Sequence, residues 1–475
     1  MVDLEIAKRR LIFEELLVLQ LGLLRLKSRG KEKSNFILEK DYSEDFYSLL
    51  PFSPTNAQRR AIAEAFVDMQ SGYPMNRLIQ GDVGSGKTAV AAALCFISAK
   101  NGLQAAFMAP TEILARQHYQ SLQALLGSQI TIGLLTGSTP AAERRALLER
   151  LSDGTIQLLI GTHALLSDGV EFQRLGLVIT DEQHRFGVSQ RSALAGKGDH
   201  PHLLVMSATP IPRTLALMIY GDLDISILDE LPPGRQKIET YAVDSGKRQR
   251  AFRYIQKHLE EGRHAYIICP MIDESQNDMA SVHKYAEMLR ETCLRSYRIA
   301  TLHGKMKPKQ KEQIMQDFSS GKIDVLVSTT VVEVGVDVPN AVIMLIENAE
   351  RYGLSQLHQL RGRVGRGSYK STCILVSDAQ NEEAVARMQI MAQTSDGFRI
   401  ADEDLRLRGP GDFFGARQHG LPDLKIANMM TDMQALKQAQ LVAKDILSQD
   451  YPLQQPEHRG LGAEVRLLFQ SMGDA

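Results

Sequence analysis

The stretch GDVGSGKT, Gly81 to Thr88, constrains this chain more than any other, because it fits G-x-x-x-x-G-K-[ST] and that pattern works only between a strand and a helix. The preceding NRLIQ reads as a strand and the following AVAAALCFISAK as a helix, so the context is the required one. Gly81, Gly84 and Gly86 let backbone N–H groups wrap phosphates, and Asp82, Val83 and Ser85 complete the loop. The helix N-terminus favours their negative charge, Lys87 reaches the outer phosphates, and Thr88 can ligate Mg²⁺. An incidental glycine turn would not produce both the spacing and the context. The ligand expected is ATP or GTP.

From Phe52 onward short β-branched runs alternate with longer helical stretches, the pattern of a parallel α/β sheet. Strands are predicted at NRLIQ, QAAFMAP, ITIGLLTG, IQLLIGT, LGLVITDE and HLLVMSAT. A second series follows DELPPGRQ: HAYIICP, RIATLHG, DVLVSTT, AVIMLIEN and STCILVSD. Pro232-Pro233-Gly234 can continue neither a helix nor a central strand and reads as a linker. The chain's 475 residues exceed one hydrophobic core, so two sheet domains and a mainly helical tail are expected. LRLRGPGDFFGARQHG, Leu405 to Gly420, is too rich in glycine for a helix and too charged for a core strand, so it reads as an exposed, specially shaped loop.

Several classes are excluded. Four scattered cysteines form no CxxC pair, which argues against a disulfide framework or zinc site and for a reducing cytoplasm. No segment is apolar enough to cross a membrane, so no membrane partner is expected. Net charge is −1, so any case for nucleic acid rests on local clusters. LIFEELLVLQLGLLRLK, Leu11 to Lys27, carries Glu14 and Glu15 inside its apolar run and reads as a helix rather than an export signal. Its leucines cover more than one stripe, which predicts a second buried surface whose occupant, a protein partner or a further domain, this chain does not supply.

Two further constellations complete a reaction site. Asp181 and Glu182 end a β-rich run: Asp181 is placed to hold Mg²⁺ through its water shell, and Glu182 to orient and deprotonate an attacking water. In QLHQLRGRVGRG, Arg361, Arg363 and Arg366 alternate with glycines. A backbone-phosphate patch, a solvated basic face and arginine fingers all fit such a composition; the spacing favours fingers, with Arg363 and Arg366 meeting ATP from the second domain.

DEQH, SAT (Ser207 to Thr209) and Q-x-x-G-R-x-G-R (Gln359 to Arg366) resemble motifs of superfamily 2 helicases. Together with APTEILARQH, SATPIPRTLA and VEVGVDVPNA they look like the RecG family of branched-DNA translocases, and next to it the Mfd family of transcription-repair motors. The resemblance implies two tandem RecA-like domains, at 51–231 and 232–390. A helical connector precedes them at 1–50, and a translocation element with a helical tail follows at 391–475. It implies that Gln58 reads adenine, although Pro54 departs from the usual leucine nearby. It places Thr111, Arg116, Gly137, Thr162 and His163 against the nucleic-acid backbone; read singly, these are helix caps and turn formers. Thr329, Glu333, Gly335 and Asp337 would link backbone contact to the ATP site, and Arg408, Arg417 and Gln418 would turn domain closure into movement of duplex DNA. The family's oligonucleotide-fold wedge does not precede the motor in this sequence, so a fragment, a truncated gene product and a partial protein from incomplete sequence are all open, and specificity for forks is weakened. A bacterial, nucleoid-associated DNA motor using ATP and Mg²⁺ is the reading carried forward, with an Mfd-like motor or an ATP-gated DNA clamp as alternatives.

Overall fold

The computed structural model describes residues 2–28, 33–181, 193–207, 223–232, 236–269, 278–329, 338–367, 369–415, 424–427 and 432–470. The chain forms two compact units. The larger, residues 34–210 and 226–404, carries two sheets.

The first sheet has seven strands: β1 (Asn76–Gly81), β2 (Gln104–Met108), β3 (Ile132–Leu135), β4 (Leu158–Gly161), β5 (Leu175–Thr180), β6 (His202–Ser207) and β7 (Asp224–Leu228). Their order is β3-β4-β2-β5-β6-β1-β7, and β1 to β6 pair in parallel. Parallel pairing needs crossover helices that cover both faces, which is why QAAFM and LGLVIT are buried along their whole length. Around this sheet lie α2 (Ser43–Leu49), α3 (Asn56–Gln70), α4 (Lys87–Lys100), α5 (Glu112–Leu126) and α6 (Ala141–Ser152). Helix α4 is apolar on every side and sits in the core. Residues 34–50, expected with the helical connector, instead join this domain: Leu38 and Phe46 are buried in its core, Phe46 against Phe96.

The second sheet has six strands: β8 (Glu239–Val243), β9 (His264–Ile268), β10 (Ile299–Leu302), β11 (Val325–Ser328), β12 (Ala341–Ile346) and β13 (Thr372–Val376). They are ordered β10-β11-β9-β12-β13-β8 and pair in parallel throughout. Its helices are α7 (Arg248–Glu260), α8 (Asp278–Glu291), α9 (Pro308–Ser319), α10 (Leu354–Arg361) and α11 (Glu382–Gln393). The fold is therefore two tandem parallel-sheet domains of RecA type with a helical C-terminal region, as the strand series predicts. Pro233 and Gly234 of the expected linker lie outside the described residues.

The loop expected from Leu405 is, as far as Gly415, helix: α12 spans Gly397–Gly415. Ile400, Ala401 and Leu405 anchor its first turns by burial. Adding residues to a formed helix is far cheaper than nucleating one, so this anchored start carries the chain through Gly409, Pro410 and Gly411 despite their poor propensity. The smaller unit packs the N-terminal helix α1 (Val2–Ser28) against α13 (Met433–Gln449) and α14 (Arg459–Gln470). Leu16, Leu19 and Leu21 are buried there, beside Leu436, Ala439 and Ala443 on α13. The chain thus supplies its own cover for the leucines expected to need an outside occupant; Leu4, Ile6 and Leu11 remain exposed. The Glu15 carboxylate fastens the bundle by accepting the N–H groups of Lys425 (2.5 Å), Ile426 (3.0 Å) and Ala427 (2.7 Å).

Candidate active site

At the C-terminal end of β1 the chain turns through Gly84 and Gly86, with φ of 76° and 83°. These are left-handed conformations that cost an L-residue roughly 1–2 kcal/mol, which explains the glycines. Gln58 clamps the loop from behind. Its Oε1 accepts Thr55 N–H (3.0 Å), its own N–H donates to Thr55 Oγ1 (3.2 Å), and its Nε2 donates to the Ser85 carbonyl (2.8 Å). A Cβ on Gly86 would come within 2.1 Å of that Nε2. Gln58 is fully buried rather than displayed on the helix surface, and the bonds named here are to the protein. Lys87 Nζ donates to the carbonyls of Gly81 and Asp82, each at 2.9 Å, while the buried Ser85 hydroxyl finds no partner among the described residues. Thr88 is half-buried in the first turn of α4. A cradle of peptide groups with a cation on its own carbonyls and an orphaned hydroxyl is suited to phosphate oxygens.

Asp181 leaves the end of β5, with its N–H on the Met108 carbonyl at 3.0 Å. Its Oδ2 meets His118 Nε2 at 2.8 Å. An ionised carboxylate only accepts, so His118 donates and fixes the carboxylate's orientation. His118 stands on α5 with its ring 4.7 Å from that of Phe107. Glu182 lies outside the described residues.

The three arginines of the second domain do not form one set. Arg361 is buried: its NH1 donates to the carbonyls of Met391 and Thr394, both at 2.9 Å, and its NH2 to His358 Nδ1 at 2.9 Å. Burial pulls its pKa below the ordinary guanidinium value. Its bonds run to the end of α11 and to the neighbouring His358, a framework role. Gly362 lies directly on the P-loop, where an added Cβ would come 3.1 Å from Val83. Beyond it, Arg366 Nε donates to the Gly362 carbonyl at 3.2 Å. Burial pushes the Tyr266 hydroxyl up to about 12, against the opposing positive charges of Arg363 and Arg366.

The two domains are joined at the loop itself. Asp82 Oδ1 accepts His358 Nε2 (2.5 Å) and Val83 N–H (2.6 Å), and Oδ2 accepts the N–H of Gly397, the first residue of α12 (3.2 Å). Burial raises the Asp82 pKa, but His358, the Val83 N–H and Lys87 together outweigh it and hold the carboxyl below its usual range. His118 and His358 lie within the stretches APTEILARQH and QLHQLRGRVGRG, but nothing in those stretches assigns them these partners.

The residues expected at a nucleic-acid backbone fall into two groups. Thr111 caps α5 by accepting Leu114 N–H (3.3 Å). Arg116 bonds Ser138 Oγ (3.1 Å) and pairs with Glu312 of α9 at 3.5 Å. Ser138 in turn binds Glu112, and a Cβ on Gly137 would stand 3.1 Å from the same carboxylate. Thr111, Arg116 and Gly137 thus gather around Glu112. Thr162 and Thr329 are buried just past β4 and β11, and His163 is exposed beside Thr162. Glu333, Gly335, Asp337, Arg417 and Gln418 lie outside the described residues, as does the side chain of Arg408.

Three family models match the chain: DEAD/DEAH box helicase over residues 55–218, helicase conserved C-terminal domain over 246–368, and ATP-dependent DNA helicase RecG, domain 3, C-terminal, over 394–470. The chain is 48% identical over 467 residues to the ATP-dependent DNA helicase RecG of Bacillus subtilis, covering 97% of this chain and 68% of that one. The chain belongs to the RecG family. A second relative, the RecG of Synechocystis, is 48% identical over 94% of this chain and 54% of its own length. A solved RecG bound to a three-way DNA junction superposes with a TM-score of 0.75 at 43% identity, over 91% of this chain and 57% of that one. The chain therefore spans between about half and two thirds of the RecG chains it matches.

Proposed function

We propose that the chain is the motor of an ATP-dependent DNA helicase that moves on duplex DNA and remodels branched structures such as stalled forks and Holliday junctions. The observation that carries this reading is the seating of the second domain on the phosphate loop, through Asp82 on His358 and Gly362 against Val83. In this reading that contact serves to carry the Arg363–Arg366 segment to the loop and makes turnover depend on how the two domains meet. A motor requires that dependence and a passive nucleotide binder does not.

In this reading Gly81 to Thr88 hold the phosphates, Lys87 exchanges its two loop carbonyls for the outer phosphate oxygens, and Gln58 keeps the loop in shape from below while its remaining amide hydrogen faces the base. Thr88 and Asp181 supply the hard oxygen donors that suit Mg²⁺, with Asp181 oriented by His118. When bound, Mg²⁺ neutralises charge on the transferring phosphoryl group. Glu182 takes a proton from the attacking water, and Arg363 and Arg366 stabilise transition-state charge. Gly335 and Asp337 report the nucleotide state, while Thr111, Arg116, Gly137, Thr162, His163, Thr329 and Glu333 track the DNA backbone. Contacts to phosphates suit a motor that ignores sequence.

Helix α12 and Arg408, Arg417 and Gln418 beyond its start convert closure into movement. The exposed Leu4, Ile6 and Leu11 are where a further domain or partner would join. Free cysteines throughout, and no described helix long and apolar enough to cross a membrane, fit work on DNA in the bacterial cytoplasm. The test compares ATP turnover with no DNA, linear duplex and a fork. Stimulation by duplex with a further gain on the fork supports the reading; turnover indifferent to DNA overturns it.

A further inference from the structure

The strongest feature that the expected motor roles leave unused is a buried chain of polar groups starting on a side chain inside the phosphate loop. The second residue of the loop is Asp82, whose carboxylate accepts the Val83 N–H within the loop and also reaches across to the second domain. One oxygen takes the His358 Nε2 proton and the other takes the first N–H of α12. The histidine's protonation is set by its other neighbour. A guanidinium has donors only, so the 2.9 Å contact from Arg361 makes His358 Nδ1 an acceptor and leaves the ring proton on Nε2, aimed at Asp82. Arg361 then spends its NH1 on the Met391 and Thr394 carbonyls, at the end of α11 and just before α12. Every group in this chain is buried or nearly so, where a hydrogen bond is strong and a missing one costly.

The loop end of the chain is tied to the nucleotide. Lys87 Nζ holds the Asp82 carbonyl at 2.9 Å, and it is the cation facing this carboxylate from α4. When Lys87 turns to phosphate oxygens it releases that carbonyl, freeing the Asp82 peptide and with it the direction of the carboxylate.

We propose that Asp82, His358 and Arg361 form a nucleotide-sensitive latch, in which His358 is a positioning residue that reports the state of the phosphate loop to the α11–α12 junction. This rests on the motor reading above and adds to it the residues that carry the signal out of the first domain. Beyond its bond to the Val83 N–H, the Asp82 carboxylate is spent on His358 and Gly397 of the second domain, so the latch bears on closure and turnover more than on nucleotide affinity.

The test uses Asp82→Asn, His358→Leu and the double variant in the full chain, with thermal melting to confirm folding. Asp82→Asn sets an amide N–H against either the His358 Nε2–H or the Gly397 N–H, donor against donor, and His358→Leu removes both the donor to Asp82 and the acceptor for Arg361. In the double variant the same chain of bonds is broken at adjacent links, so the second change adds little to the first. The first readout is DNA-stimulated ATP turnover. Each single variant is expected to lose about tenfold or more in kcat with the KM for ATP within about threefold, and the double variant to be no worse than the weaker single. The second readout is hydrogen exchange over residues 391–400, with and without a non-hydrolysable ATP analogue. The analogue should change exchange there in the parent chain and leave it unchanged in both single variants. Effects on kcat that multiply in the double variant overturn the latch, as does a nucleotide response at 391–400 that survives in the singles. A parent chain without DNA-stimulated turnover would instead overturn the motor reading, and the exchange experiment separates the two failures because it needs only nucleotide binding.

Discussion

Replacing Arg361 with Met tests whether this arginine is framework rather than a third finger. The side chain is 2% exposed, and its bonds to the Met391 and Thr394 carbonyls close the end of α11, where a helix leaves acceptors without intrahelical donors. Hydrogen bonds from a charged donor contribute about 1.5–3 kcal/mol each, so losing these two and the bond to His358 Nδ1 removes roughly 4–9 kcal/mol. Relief from burying a guanidinium with no carboxylate directly on it offsets part of this, leaving a net destabilisation of about 2–4 kcal/mol. For domains of this size that corresponds to a melting temperature lower by roughly 5–15 °C. Arg361→Lys keeps the charge but not the planar fork, and should also destabilise. Calorimetric melting of the chain, followed by ATP turnover below the transition, separates the roles. A variant that melts like the parent yet loses turnover a hundredfold would show that Arg361 reaches the nucleotide and that the framework assignment is wrong.

Four further outcomes follow. Lys87→Ala should weaken nucleotide binding while Glu182→Gln keeps ATP but does not turn it over, checked by equilibrium binding beside a phosphate-release assay; parent-rate hydrolysis in Glu182→Gln removes the water-activating role. Arg366→Ala should cut DNA-stimulated turnover by at least ~10²-fold with nucleotide affinity within about tenfold, since a finger acts in the transition state; near-normal turnover makes it a surface arginine. Burial raises the Glu15 pKa, but the three N–H groups outweigh it and leave the group below its ordinary 4.5. Its stabilisation of the helical unit is therefore full above that value and drains as pH falls through the lower folded-state value, a loss that Glu15→Gln should abolish in acid melts followed by circular dichroism. Arg408→Ala or Arg417→Ala should keep much of the DNA-stimulated ATPase while losing triplex displacement from linear duplex; a proportional fall in both assigns these residues to structural support.

What was legible in the sequence was local. Central strands such as QAAFM and AVIMLI are continuous apolar runs because both faces of a parallel sheet are covered, and both stand where predicted. The edge strands β7 and β8 went unread, because DISIL and ETYAV are half-exposed and alternate too irregularly to signal a strand. The phosphate loop is a contiguous motif and could be read whole. His118 and His358 could not, since a lone histidine carries no spacing signal and their partners lie 63 and 276 residues away. The same distance hid the cover of α1, whose occupants sit at the other end of the chain. Local reading also misjudged Leu405 to Gly415, where glycine and proline argue for a loop but the buried start of α12 decides for helix.

The most direct test of the motor assignment is triplex displacement from linear duplex, followed in time with ATP, with a non-hydrolysable analogue, and with the Lys87→Ala chain. ATP-dependent displacement whose lag grows with the length of duplex ahead of the triplex, absent in the other two arms, is the expected result. DNA-stimulated hydrolysis with no displacement at any length would show an ATP-gated clamp and contradict the account.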